Sequence, residues 1–84
     1  MSYSVYILEC ADSTLYTGIT TDLKRRVLEH NSAKVGAKYT KARRPVALAY
    51  SEKAKTRSAA LMREATLKRL TRKEKLTLIR SKKI

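Results

Sequence analysis

The chain has 84 residues, a length that fits one small domain over residues 1–84. With 20 basic and 7 acidic residues its net charge is +13, and its content of 43% hydrophobic residues excludes intrinsic disorder. One cysteine, Cys10, and one histidine, His30, exclude an internal disulfide and a four-ligand structural zinc site. No apolar run approaches the ~20 residues of a membrane helix and no signal peptide is visible, so we expect a cytoplasmic protein.

The first predicted elements form a β-hairpin. Residues 3–9 are β-branched and aromatic, with apolar groups at both odd and even positions, which is typical of a strand covered on both faces. A turn over residues 10–13 and a second strand over residues 14–18 follow. If the connecting loop has an odd number of residues, Tyr6 and Tyr16 lie on the same face of the sheet, as direct or diagonal neighbours.

A helix is predicted directly after the hairpin. Thr20 or Thr21 can cap it, with Asp22 favourable in its first turn, and we expect it to end near His30. Arg26 precedes His30 by four residues, so both side chains should lie on one face of this helix.

Residues 31–45 form a polar, basic loop in this interpretation. The apolar run at residues 46–50 predicts a third strand, and its composition favours a buried central position in the sheet.

Two helices are predicted in the last third of the chain. Thr56 can cap the first, which should end near Leu70. Residues 71–74 read Thr-Arg-Lys-Glu, a capping-box pattern for the second, with Leu76 and Ile79 as its apolar anchors. The expected order is therefore β-β-α-β-α-α.

The positive charge is unevenly distributed. Residues 1–22 contain three acids and no Lys or Arg, whereas residues 53–84 contain 12 basic and 2 acidic residues. Such self-repulsion disfavours a compact state unless a polyanion relieves it. We therefore expect a nucleic-acid partner, the alternative being a soluble protein that binds polyanions only loosely.

Two tyrosines ten residues apart, Tyr6 and Tyr16, are followed ten residues later by Arg26 and then by His30. A phenol has a pKa near ~10 and is a poor base at neutral pH. This set suits a site where water attacks a phosphodiester beside a metal ion, because the metal and nearby cations favour the phenolate or the attacking hydroxide. The alternative is that both tyrosines only fill the core.

Glu64 is the only acid between Thr56 and Thr71, and it lies near the apolar side of the predicted helix. A carboxylate in that position needs a cation. Two interpretations remain open: an ion pair with Lys68 at the favourable i, i+4 spacing, or a ligand for Mg²⁺, which prefers oxygen ligands.

The combined pattern resembles the GIY-YIG nuclease superfamily, and in particular its small single-domain bacterial UPF0213 branch, which is similar to the nuclease half of the Slx1 endonuclease. The likeness extends over essentially the whole chain. It is carried by the motifs Ser4-Val5-Tyr6 and Tyr16-Thr17-Gly18 and by residues 16–26, 29–31, 36–40 and 43–46. The resemblance implies an α+β fold with a small three-stranded antiparallel sheet flanked by helices.

The resemblance also implies an activity: metal-dependent hydrolysis of DNA phosphodiesters, structure-selective or weakly sequence-specific, in repair or recombination. Tyr6 would be the general base, and Tyr16 would orient water or metal. Arg26 would bind the scissile phosphate, and Glu64 would be the protein carboxylate on Mg²⁺ or Mn²⁺. His30 resembles a histidine found at this spacing in part of the superfamily.

Some branches of the superfamily have a lysine soon after the second motif, where this chain has Ile19 and Thr20. His30, Lys38 or Lys41 would then assist the base. Further basic side chains are expected to contact nucleic acid, and these are Arg25, Lys38, Lys41, Arg43, Arg44, Arg63 and Lys68. The alternative function is a non-catalytic DNA- or RNA-binding module that keeps this fold.

Overall fold

Three antiparallel strands form the centre of the computed structural model, which describes residues 2–32 and 38–82. The strands are β1 (Tyr3–Glu9), β2 (Leu15–Thr20) and β3 (Ala47–Ala54), and the sheet order is β2-β1-β3. The helices are α1 (Leu23–His30), α2 (Lys38–Lys41), α3 (Arg57–Lys68) and α4 (Arg72–Ser81). The predicted α+β class and the order β-β-α-β-α-α are confirmed, with the short α2 as an addition.

The predicted loop over residues 31–45 is wrong for residues 38–41, which form α2. Its four residues are too few to show a helical period in the sequence. Residues 33–37 and the side chain of Lys38 lie outside the described part of the chain.

The central strand is β1, not β3. Residues Ser4–Leu8 of β1 are all buried, as its apolar groups on both faces predict. The prediction of a central third strand is wrong: β3 lies at the edge, and Leu48 is 45% exposed. A short apolar run cannot distinguish a central strand from an edge strand whose side chains are half-covered by a neighbouring helix. The strand also continues beyond the predicted end, to Ala54.

The two faces of the sheet carry separate cores. On one face, Val5 and Ile7 belong to a buried cluster with residues of α3 and α4, among them Leu67 and Ile79. On the other face, Tyr6 and Leu8 cluster with Cys10 and Val46, and Leu23 and Val27 of α1 pack against them. Tyr6 is therefore positioned between the sheet and α1.

The helix ends follow local sequence rules. The predicted caps Thr56 and Thr71 are confirmed, the latter with a complete capping box to Glu74. The cap of α1 is Asp22, whose carboxylate accepts a hydrogen bond from the Arg25 amide, rather than either of the preceding threonines. Thr20 instead accepts a hydrogen bond from the Asp22 amide at 3.1 Å, so it stabilises the turn before the helix.

Asn31 joins the end of α1 to the start of the third strand. Its side-chain amide donates to the carbonyl of Val46 at 3.0 Å, and its side-chain carbonyl accepts from the Val46 amide at 2.7 Å. This two-way pairing holds the last turn of α1, and with it His30, against the sheet. Across residues 2–32 and 38–82, none of the helices has both the length and the apolar surface to span a bilayer.

Candidate active site

The register of the hairpin brings the two tyrosines together. Tyr6 lies opposite Gly18, and Leu8 lies opposite Tyr16, so Tyr6 and Tyr16 are diagonal neighbours on one face. The loop between the strands, residues 10–14, has an odd number of residues, as this arrangement requires. The predicted shared face is confirmed.

Gly18 makes room for the Tyr6 ring. A Cβ atom at position 18 would lie 2.6 Å from the Tyr6 hydroxyl oxygen and 2.8 Å from its Cζ atom. It would also lie 3.3 Å from Cε2 of Tyr16. The phenol of Tyr6 therefore crosses directly over β2, and only a glycine at this position allows it to do so without displacement.

Tyr6 meets the only histidine of the chain. The Tyr6 hydroxyl lies 2.9 Å from Nε2 of His30, and Nδ1 of His30 lies 2.9 Å from Oγ1 of Thr40. All three side chains are buried. The last residue of α1 and the short α2 thus extend the tyrosine pair into a buried hydrogen-bonded chain.

The protonation states in this chain follow from burial. Burial and, secondarily, the Arg26 charge lower the pKa of His30 to about 4, so its imidazole is neutral at pH 7. Burial also raises the pKa of Tyr6, with smaller contributions from Tyr16 and Glu64 in the same direction and an opposing one from Arg26. In the tautomer of neutral His30 that has Nε2 as acceptor, the phenol donates to the imidazole.

Arg26 lies beside the Tyr6 phenol and is held by Glu29. Its guanidinium donates to Oε1 of Glu29 at 3.0 Å, while Arg25 pairs with Oε2 at 3.1 Å. Arg25 is 75% exposed, so Arg26 is the arginine that lies beside Tyr6. Arg26 first, and Arg25 to a lesser degree, hold the pKa of Glu29 below its usual range. Glu29 was not predicted as a site residue, although its i+3 and i+4 spacing from the two arginines was a usable signal.

Glu64 forms the ion pair that was one of the two interpretations left open by the sequence. Its carboxylate lies 3.5 Å from Nζ of Lys68, and its side chain is only 19% exposed. It is also close enough to contribute to the raised pKa of the Tyr6 phenol. Among the described residues, no group of three or more His, Cys, Asp or Glu side chains could hold a metal ion.

A row of aromatic rings leads outward from Tyr6 and His30 to the surface. This aromatic ladder consists of His30, Tyr16 and Tyr39, with Arg43 at its outer end. The rings of His30 and Tyr16 meet edge-on at 5.1 Å, and Tyr16 stacks on Tyr39 at 5.7 Å with 26° between the planes. The guanidinium carbon of Arg43 lies 4.1 Å from the centroid of the Tyr39 ring. Tyr39 and Thr40 were not assigned as site residues, because no spacing within the sequence connects α2 to the hairpin.

The remaining residues that were predicted to contact nucleic acid differ in their surroundings. Lys41 is exposed near the ladder, whereas the side chain of Lys38 lies outside the described residues. Arg44 and Arg63 both have partners within the protein. The Nε atom of Arg44 donates to the carbonyl of His30 at 2.7 Å, and Arg63 pairs with Glu52 of β3 at 2.9 Å.

A comparison with known families decides the relationship. The family model for the GIY-YIG catalytic domain matches residues 2–77. The chain belongs to the GIY-YIG family. A UPF0213 protein of Syntrophus aciditrophicus is 57% identical over 76 residues, which cover 90% of this chain and 87% of that protein. These matches confirm the relationship predicted from the two tyrosine motifs.

Solved structures of GIY-YIG relatives agree with this fold. The solution NMR structure of the UPF0213 protein of Bacillus halodurans has a TM-score of 0.63 and 43% identity, covering 98% of this chain and 86% of that one. A solution NMR structure of an E. faecalis protein has a TM-score of 0.65 and 42% identity, covering 96% and 85%. Because the GIY-YIG superfamily consists of nucleases, the domain implies a nucleic-acid substrate.

Proposed function

We propose that this GIY-YIG protein is a metal-dependent DNA endonuclease, structure-selective or weakly sequence-specific, that hydrolyses phosphodiesters at Tyr6. The observation that carries the proposal is the 2.9 Å contact between the Tyr6 hydroxyl and Nε2 of buried His30. A core-filling tyrosine would need no titratable partner at its hydroxyl. Here the phenol has a neutral proton acceptor on one side and the Arg26 guanidinium near it.

The proton path uses both groups. As water attacks the phosphorus atom, the P–O bond to the leaving deoxyribose oxygen breaks. The proton of the attacking water passes to the Tyr6 oxygen while the Tyr6 proton passes to Nε2 of His30. The leaving oxygen takes a proton from solvent, and the imidazolium later returns its proton to solvent. The phenol thus never needs to be a free phenolate, whose formation its raised pKa opposes. Bringing the DNA phosphate to the site adds negative charge, which favours the imidazolium form of His30. His30 would take the role of assisting the base, for which Lys38 and Lys41 were the alternatives predicted from the sequence.

Arg26 would bind the scissile phosphate. Its planar guanidinium can hold two phosphate oxygens and offset the charge that develops as the water attacks. In the free protein Glu29 holds it at 3.0 Å, so it is pre-positioned beside Tyr6 without a substrate. Tyr16, which meets His30 edge-on and stacks on Tyr39, would help to orient the water.

A divalent cation fits this donor set only with help from the substrate. Mg²⁺ is often bound through one or two carboxylates together with substrate phosphates and waters, and Glu64 is the carboxylate present. Glu64 would hold the ion, in place of its present contact with Lys68 at 3.5 Å. A bound divalent ion would supply Lewis-acid stabilisation of phosphate charge. We expect it to bind the free protein weakly, because one carboxylate plus waters is a thin site.

The decisive experiment compares two acids. Glu64 and Glu52 are both half-buried carboxylates in ion pairs, with Lys68 and Arg63 respectively, but only Glu64 influences Tyr6. Purified wild type, Glu64→Gln and Glu52→Gln are assayed on single-stranded, flap, branched and duplex DNA with Mg²⁺, Mn²⁺ or EDTA. We expect metal-dependent cleavage by wild type and Glu52→Gln, and a loss of at least ~10²-fold in Glu64→Gln. Equal cleavage by both variants, or none by wild type, would overturn the proposal.

A non-catalytic binding module is the second candidate. It is favoured by one observation: Arg26 and Glu64 both have ion-pair partners within the protein, as residues of an inactive relic would. This function predicts DNA or RNA binding through the basic surface without cleavage in any metal. A cytoplasmic location, a role in DNA repair and the likeness to the Slx1 nuclease half stay predictions.

A further inference from the structure

The aromatic ladder ends at the surface, next to the proposed reaction centre. Exposure increases along it: His30 is fully buried, Tyr16 is partly buried and Tyr39 is 38% exposed. Arg43, at the outer end, retains 35% of its side-chain exposure. The Tyr39 ring is stacked on Tyr16 and covered by the Arg43 guanidinium, and this part-exposed guanidinium therefore lies one ring away from Tyr16.

We propose that Tyr39 and Arg43 form a subsite for an unpaired DNA base beside the scissile phosphate. The inference rests on the proposed nuclease function and names its substrate class: strands whose bases are free to stack. Bases stack on aromatic rings and on arginine guanidinium planes with little dependence on sequence, because every base has a π-face. In a duplex these faces are already covered by neighbouring base pairs.

The subsite formed by Tyr39 and Arg43, a platform for stacking, is already in place before a substrate binds. The Nε atom of Arg43 pairs with Asp12 of the hairpin turn at 2.9 Å, and one of its terminal nitrogens donates to the Tyr39 carbonyl at 2.8 Å. The amide of Ala11 donates to the carbonyl of Arg43 at 2.9 Å. These contacts hold the guanidinium over the ring from two separate parts of the chain. A base that stacks here meets an ordered surface, so little side-chain entropy is lost on binding.

Charge alone does not explain this arrangement. A cation that served only to attract phosphate would not need a fixed plane over a ring, and exposed Lys41 in the same region supplies positive charge without one. The chemistry of the platform is that of a stacking surface, with the guanidinium contributing a cation–π interaction as well.

The test measures binding without cleavage. Fluorescence anisotropy in EDTA compares a single-stranded oligonucleotide with an abasic strand of the same length, which has the same phosphates but no bases. Wild type should bind the strand with bases about fivefold or more tightly, the scale of one base–aromatic stack. Tyr39→Leu should bind both strands equally, and Tyr39→Phe, which keeps the ring, should restore the difference. Lys41→Ala, the control, should weaken both strands alike.

Other outcomes overturn the proposal. It fails if wild type does not distinguish the two strands, or if Tyr39→Leu retains the difference. If Tyr39→Leu does not fold, as a thermal melt would show, Arg43→Lys replaces it, because lysine keeps the charge and removes the plane. A base-dependent affinity in a protein that cleaves no DNA would leave the platform standing and refute the nuclease function alone.

Discussion

The imidazole ring of His30 is buried between Tyr6 and Thr40, and this makes the stability of the protein sensitive to acid. Its folded pKa is about 4, whereas an unfolded histidine titrates near ~6.5. Folding therefore favours the neutral form. This contribution to stability is complete above about pH 6.5 and is lost as the pH falls toward the folded pKa. The loss should amount to roughly 3 kcal/mol.

Urea denaturation between about pH 7 and 4.5 measures this effect. His30→Gln can keep hydrogen bonds to both neighbours but has no proton to gain, so its stability should change much less over this range. Hydrogen bonds from Arg26 and from Thr14 lower the pKa values of Glu29 and Asp12, respectively, from ordinary values that already lie below that of a histidine, so their contributions to stability are lost at lower pH. Parallel pH curves for wild type and His30→Gln would contradict the assignment.

A substitution at Tyr6 should reduce cleavage of DNA without reducing its binding. Tyr6→Phe removes the hydroxyl that contacts His30 and keeps the ring in the core. We expect cleavage to fall by at least ~10²-fold, the usual scale for lost acid–base catalysis, while DNA binding is nearly unchanged. Because the lost hydrogen bond is buried, stability should also fall by about 1–3 kcal/mol.

Single-turnover cleavage, DNA binding and thermal melts measure these three quantities together. Tyr3→Phe is the control, since Tyr3 lies on the same strand and packs on the opposite face, against the α3 and α4 core. A Tyr6→Phe enzyme that cuts at the wild-type rate would remove Tyr6 from the mechanism.

At the scale of elements, the packing of the β1–β2 hairpin depends on position 18 being a glycine, which has no side chain. An Ala at position 18 would place its Cβ 2.6 Å from the Tyr6 hydroxyl. The Tyr6 ring is buried and held by His30, so it cannot move aside without breaking that contact. Gly18→Ala should therefore destabilise the fold by about 1–3 kcal/mol and reduce cleavage.

A double-mutant cycle tests that cause. In a Tyr6→Leu background the ring is gone, and adding Gly18→Ala should cost much less than it does in the wild type. Chemical denaturation of the four proteins gives the coupling energy. Additive losses would mean that the alanine acts elsewhere on β2.

The whole molecule carries a charge of +13, and its affinity for DNA should be governed by salt. If ~4–6 phosphates are contacted, log K should fall against log salt concentration with a slope of roughly −4 to −5. Arg26→Ala should lower cleavage much more than affinity, because it removes one phosphate contact among several. Anisotropy titrations over a range of salt concentrations measure the slope, and a flat response would exclude polyanion binding as the role of the charge.

Much of the fold could be predicted from the sequence by itself. The two-faced burial of β1, the odd hairpin loop that pairs Tyr6 with Tyr16, and the caps at Thr56 and Thr71 were all predicted. Each of these depends on residues close together in the chain, where backbone geometry and side-chain period leave few choices. The spacing of the site residues was equally readable, since it is a property of the sequence alone.

The tertiary structure decided what local rules leave open. The edge position of β3, the contact of His30 with Thr40 and the stacking of Tyr39 on Tyr16 all join segments distant in the chain. The contact of Arg44 with the carbonyl of His30 was not predicted for the same reason. Such contacts are set by how separate elements pack against each other, and no periodicity within one element encodes which partner a side chain will meet.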